Sequence, residues 1–236
     1  MTIGQLLSRI YSAGNHRALR FISRFMPEKG AVLMLHSVGG NPDYEFNIPT
    51  EKFEKLLTAL SNENIIHLGD WEKAADFFAL SADDVPQDFY VNAFPLLKKH
   101  GIPFTIFVAT SLLDTDGYIT TEQLKEMAAS PLCTVGSHGV NHSFFRSLNK
   151  DERHDELADS KRTLEKIIGK PVELYAFPYG SYYACGYRNK KQVLDYYKYG
   201  FGTVNAHITH PRFLKKYFLP RINVNSALID KLTSSK

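Results

Sequence analysis

Phe77-Phe78-Ala79-Leu80-Ser81-Ala82-Asp83-Asp84 is the stretch on which the fold turns. Phe77–Ala82 reads as a short strand, and two carboxylates follow it directly. Next, Phe89–His100 carries helical spacing and stops at Gly101-Ile102-Pro103, the Gly and Pro punctuation of a helix end. Phe104–Ala109 is then a second β-rich apolar run. Strand, helix and strand in this order indicate a parallel βαβ unit.

The alternation continues in both directions. Upstream, Ala31–Leu35 reads as a buried strand ending at His36. Thr50–Leu60 reads as a helix behind Pro49, and Ile65–Leu68 as a short strand. Downstream, Thr121–Ala129 is helical, with Thr120 and Gln123 spaced as a capping box. Leu132–Val135 is a strand. Asn149 and Glu152 open a long helix through Ile168, which Gly169 ends. Val172–Ala176 reads as a strand, Gln192–Tyr199 as a helix stopped by Gly200, and Phe201–Val204 and Phe218–Val224 complete the pattern. Roughly seven strands alternating with helices predict an α/β fold, an irregular barrel with a mainly parallel sheet. Chemistry in such folds sits at the C-terminal ends of the strands. His36, Asp83, Asp84, Ser137, His138 and Phe177 through Tyr179 all fall there.

The 236 residues, 44% of them hydrophobic, suffice for one substantial core. A net charge of +3 gives no indication of nucleic acid as a partner. Cys133 and Cys185 have no metal-type spacing. The sequence contains no apolar run of about 18 residues and no leader-like start, which places the expected location in the cytoplasm. Residues 3–26 form two apolar stripes with basic residues between. They predict an amphipathic helical extension over 1–29, ahead of a domain over 30–236. A helix packed on the barrel is the preferred reading of that extension, and peripheral contact with an anionic membrane is the competing one.

Four groups carry the chemistry. Two adjacent carboxylates repel, and a cation relieves them, holding one as a ligand and leaving the other as a base. A solvated acidic turn is the plainer reading of Asp83-Asp84. His138 and His142 stand four apart, a spacing that can converge both rings on a metal; two surface histidines are the alternative. His36 reads as a core histidine or as a general acid at the barrel mouth. Phe177-Pro178-Tyr179-Gly180 reads as a plain turn or as a wall whose backbone N–H binds an oxyanion.

Taken together and in order, these residues resemble the polysaccharide deacetylase family, the NodB homology domain of carbohydrate esterase family 4. Its first motif, Thr-Phe-Asp-Asp-Gly, reads here Ser81-Ala82-Asp83-Asp84-Val85. Its second, His-Ser/Thr-x-x-His, reads His138-Gly139-Val140-Asn141-His142. The third corresponds to Phe177-Pro178-Tyr179-Gly180, and Leu219-Pro220-Arg221-Ile222 is also familiar. The family's late Leu-x-His is replaced by Met34-Leu35-His36 near the start, similar to the circularly permuted branch that includes poly-N-acetylglucosamine deacetylases. The resemblance implies a deformed (β/α)7 barrel in which Asp84, His138 and His142 bind a divalent metal, most often zinc. It makes Asp83 the base that takes a proton from water, His36 the acid, and Pro178 and Tyr179 the oxyanion and substrate wall. The expected substrate is an N-acetylated glycan, or a lipid- or nucleotide-linked sugar precursor, losing acetate. A catalytically weakened glycan-binding module and an O-acetyl esterase are the alternatives. Four departures from the family pattern matter. Val85 at a family Gly predicts a strained turn if the backbone there has positive φ. Ala82 in place of Phe predicts a wider pocket. Gly139 removes a hydroxyl, and the third motif lacks the Arg that orients the catalytic Asp in many members. Phe144, Phe145, Tyr179, Tyr182, Tyr183 and Tyr187 are candidate sugar-stacking rings. Arg188, Lys190 and Lys191 read as a solvated charged face.

Overall fold

The computed structural model describes residues 28–186, 189–209 and 214–234. The expected extension over 1–29, with its helical stripes at 3–26, lies outside these residues except for the backbone of its last two. The chain enters the barrel on β1 (Glu28–Leu35), followed by a small outlying ladder of β2 (Ser37–Val38) and β3 (Asn47–Ile48). Helix α1 (Thr50–Leu60) leads to β4 (Phe77–Asp83), and α2 (Phe94–His100) to β5 (Phe104–Val108). Helix α3 (Thr121–Ala129) and β6 (Cys133–Ser137) come next, then α4 (Lys150–Ile168), β7 (Leu174–Ala176) and the short α5 (Tyr182–Cys185). The chain ends with β8 (Tyr199–Phe201), β9 (Ile208–Thr209), β10 (Ile222–Asn223) and α6 (Ser226–Ser234).

Among the described residues, seven strands pair in parallel in the order β10-β1-β4-β5-β6-β7-β8, and β9 adds antiparallel to β1. One stretch joins the two edges. Leu219 bridges Phe201 of β8, and three residues later Ile222 pairs with Leu33 of β1. The sheet therefore closes on itself through short pairings, which makes this a deformed (β/α)7 barrel.

Period-2 alternation sorts the side chains. Along β4, Phe77 and Ala79 join the cluster inside the barrel, whereas Leu80 and Ala82 join the layer beneath the helices. Ser81 and Asp83 therefore point inward. Ala82 faces outward and is 1% exposed, so it does not widen the pocket as expected. Gly136 also faces inward, where a Cβ would come 2.5 Å from the Phe107 ring.

Local signals explain the helices. The capping boxes Thr120/Gln123 and Asn149/Glu152 are both formed. Helix α2 is entered through a π-helical turn, Phe89–Ala93, in which the Phe94 N–H reaches Phe89 O. Pro95, without an N–H, cannot continue an ordinary ladder there.

Three expectations need correction. Ile65–Leu68 is not a strand: Ile65 makes one bridge to Phe78, and a 3-10 turn begins at Leu68. The helix expected over Gln192–Tyr199 is a 3-10 segment over Asn189–Asp195, and Tyr199 and Gly200 belong to β8. Tyr199 and Phe201 fill the barrel interior, and that burial decides in favour of the strand, which ends at Phe201 rather than Val204. Phe218–Val224 is strand only at Ile222–Asn223, because Pro220 has no N–H for a ladder. Among the described residues, no helix is long and apolar enough to cross a membrane.

Candidate metal centre and active site

At the end of β4 the chain turns abruptly. The Val85 N–H donates to Asp83 O at 2.7 Å, an i→i+2 bond around Asp84, whose φ is +62. Val85 has φ +51, so the strain expected of a valine here is present. The turn points Asp83 into the barrel and Asp84 to its mouth. His142 (φ +51) and Tyr179 (φ +59) are also left-handed. Such strain persists where the surroundings over-determine it, commonly at functional sites.

Asp84, His138 and His142 converge, with one ligand atom from each lying within 4.8 Å of the others. Asp84 Oδ1 stands 3.3 Å from His142 Nε2 and 3.6 Å from His138 Nε2. Ligands about 2.0–2.1 Å from a tetrahedral zinc lie roughly 3.3 Å apart. Asp84 Oδ1 is buried and has no hydrogen-bond partner among the described residues. His138 Nδ1 lies 2.8 Å from Ala176 O, which assigns its proton to Nδ1 and leaves a lone pair on Nε2. Lone pair then faces carboxylate oxygen, an arrangement that a cation relieves. Burial lowers the pKa of His138 more than the neighbouring Asp83 and Asp84 raise it, so the ring stays neutral, the form in which it could ligate a metal. The residues present fit a divalent metal.

Asp83 is 2% exposed and is held by Arg221, Nη1 to Oδ1 at 2.6 Å and Nη2 to Oδ2 at 2.7 Å. Burial alone raises its pKa, but Arg221, His138 and His36 outweigh it and bring the carboxyl down to about 2. Arg221, placed by the last barrel strand, supplies the carboxylate partner missing from the third motif. The sequence pointed to its surroundings without giving it a role, since the pair is 138 residues apart.

His36 follows β1 and stacks on Phe46, with centroids 4.8 Å apart. Its Nδ1 is buried without a partner among the described residues. Desolvation lowers its pKa, and the charges of Asp83 and Asp84 oppose that. Tyr44 and Tyr118 line the same side; burial first, then the Asp84 charge, raises both phenols.

Opposite, Pro178 is buried and Tyr179 is 50% exposed. The Tyr179 ring lies 4.7 Å from His142 and stacks on Phe144 at 3.9 Å. Its carbonyl accepts from Ser181 N–H and Thr203 Oγ1, and its N–H has no partner among the described residues. Of the other expected stacking rings, Phe145 is buried core and Tyr182 packs on Phe218. Tyr183 is exposed beside Arg146, and Tyr187 lies outside the described residues, as does Arg188. Lys190 is not solvated as expected. It is buried, with its Nζ over the Tyr182 and Phe218 rings.

A model of the polysaccharide deacetylase family matches residues 72–200, more than half of the chain. The chain belongs to the polysaccharide deacetylase family. It is 27% identical to YxkH of Bacillus subtilis over 167 residues, 66% of this chain and 58% of that protein. It is 26% identical over 168 residues to the poly-beta-1,6-N-acetyl-D-glucosamine N-deacetylase of Staphylococcus aureus, 65% of this chain and 56% of that one. The chain thus spans little more than half the length of these relatives. The structure of the Streptococcus pyogenes deacetylase PplD, in complex with acetate, superposes with a TM-score of 0.77 at 23% identity, covering 89% of this chain and 98% of that one. That likeness concerns the fold.

Proposed function

We propose that this chain is a metal-dependent hydrolase that removes N-acetyl groups from an N-acetylated glycan. The observation that carries the proposal is the buried Asp84 Oδ1, without a hydrogen-bond partner among the described residues, set between the Nε2 atoms of His138 and His142. Asp84, His138 and His142 hold the ion, and their two-nitrogen, one-oxygen donor set suits zinc. A divalent ion there supplies Lewis acidity and brings the pKa of water towards about 7.

The remaining roles belong to the chain. Asp83, ionised at every pH of interest, accepts the proton of the attacking water. Its low pKa makes it a weak base, and the strongly basic amine that leaves draws the proton onward. The Tyr179 N–H donates to the oxyanion that forms on the acetyl carbonyl. His36, whose burial makes its protonated form a stronger acid, protonates the leaving nitrogen. The stacked Phe144 and Tyr179 offer an apolar face to a pyranose ring beside the acetyl group. The poly-N-acetylglucosamine relative favours a chain of N-acetylhexosamines as the substrate class.

The test is acetate release from N-acetylglucosamine oligomers by metal-stripped and zinc-restored protein, with Asp84→Ala and His138→Ala alongside. Release from the restored wild type alone is expected. A protein that holds its metal and releases no acetate from any oligomer or sugar precursor is not this enzyme.

A further inference from the structure

Helix α4 buries two polar side chains on a face it shares with Leu157 and Leu164, namely Glu156 and Ser160. Residues four apart on a helix lie one above the other. Both reach the segment that carries the two histidines. At its start, Ser137 Oγ donates to Ser160 Oγ at 2.8 Å and accepts from the Gly139 N–H at 3.1 Å.

Glu156 holds the rest. Its Oε2 accepts from the Val140 N–H at 2.6 Å. The Asn141 N–H reaches Oε1 at 3.2 Å and Oε2 at 3.1 Å. Asn141 Nδ2 donates to Oε1 at 2.8 Å, and Ser143 Oγ to the same oxygen at 3.4 Å. These donors lie between His138 and His142 and just beyond. At Gly139, with φ +84, a Cβ would stand 2.7 Å from Glu156 Oε2. The hydroxyl residue of the family motif is thus replaced by a glycine that admits a carboxylate.

We infer that Glu156 is a positioning residue of the metal centre. It fixes the backbone between the two histidines, so that both Nε2 atoms face Asp84 Oδ1 and the left-handed His142 is held at its strained φ. This inference rests on the metal-centre reading above. The role requires a carboxylate: four donors converge on two oxygens that carry no hydrogen, and charge-assisted bonds are the strong ones. Glutamine keeps the shape but turns one acceptor into an NH2 aimed at N–H donors.

The test is Zn2+ affinity of the metal-stripped full chain, measured by competition with a chromophoric chelator. The absorption spectrum of the Co2+ form and the melting of the metal-free form are recorded in parallel. Glu156→Gln is expected to weaken Zn2+ binding about tenfold and Glu156→Ala up to about a hundredfold, the range seen for groups that orient ligands. The Co2+ spectrum should change at temperatures where the metal-free variants remain folded. A loop brace with no hold on the ligands would lower melting and leave affinity and spectrum unchanged, and that result overturns the inference. If Glu156→Ala does not fold, the isosteric Glu156→Gln decides. If neither folds, Asn141→Ala with Ser143→Ala decides, and wild-type affinity there also overturns it. His138→Ala separates the two readings. Wild-type zinc affinity in that variant sinks the metal centre itself, whereas its loss alongside unaffected Glu156 variants sinks only the role of Glu156.

Discussion

Arg221 and Asp83 form a two-bond pair across the closure of the barrel, with side chains 0% and 3% exposed. The Arg221 Nε also donates to Gly202 O at 3.0 Å, and the guanidinium lies over the Phe107 ring. One residue of β4 is thus tied to the stretch that joins β8 to β1. Removing either partner alone leaves a buried charge unmatched, a loss of about 3–5 kcal/mol. Arg221→Met and Asp83→Asn should each show it in urea unfolding of the metal-free protein. The double variant should be less destabilised than the sum of the two. Additive losses would show that the pair is not coupled.

The same pair sets a pH dependence. Asp83 falls from 3.8 when unfolded to about 2 when folded, a difference of roughly 2 kcal/mol. Its folded pKa is depressed, so the stabilisation is complete above about pH 4 and is lost as pH falls towards 2. The stability gap between wild type and Asp83→Asn, measured without metal, should be flat from pH 7 to 5 and narrow by about that amount on acidification to pH 2. A gap that instead widens on acidification would reverse the sign assigned to Asp83.

What could be read from the sequence was what chain neighbours decide. The capping box of Asn149 and Glu152 involves groups two or three residues apart, and it is formed. Thr50–Leu60 is helical over the range its pattern implied. Asp84, His138 and His142 could be singled out because strand ends and spacing marked them, and the structure brings them together. Arg221 could not, since a lone arginine after a proline carries no local sign of a carboxylate 138 residues away. Glu156 was hidden within a long helix among many other charged residues. Tyr199 misled because its barrel partners lie on β7, so only the closed sheet shows it to be strand.

Val85 offers a test of strain against burial. It is fully buried, and its φ of +51 disfavours a β-branched side chain. Left-handed backbone costs about 1–2 kcal/mol for a residue with a Cβ, while burying the valine contributes about 1.5–3 kcal/mol. Val85→Ala gives up much of the burial and keeps most of the strain, whereas Val85→Gly gives up both. Thermal unfolding should therefore show Val85→Gly within about 1 kcal/mol of Val85→Ala or more stable than it, despite the smaller side chain. A glycine variant clearly worse than the alanine one would mean that the turn holds no strain to release.

Phe144 bears on the choice of substrate. It lies nearly parallel to Tyr179, at 15°, and both rings are substantially exposed at 42% and 50%. Exposed aromatic faces beside a polar centre are poorly explained by core packing, and Tyr179 is itself fixed by its backbone turn. A pyranose ring stacked on this pair would be one unit of the chain being deacetylated, not the reacting amide. Phe144→Ala should raise KM for an N-acetylglucosamine tetramer about tenfold, equivalent to about 1.4 kcal/mol, with a smaller change in kcat. The monosaccharide, too short to span both the metal centre and the stack, should lose far less. Equal losses for monomer and tetramer would remove Phe144 from chain recognition and leave it a support for Tyr179.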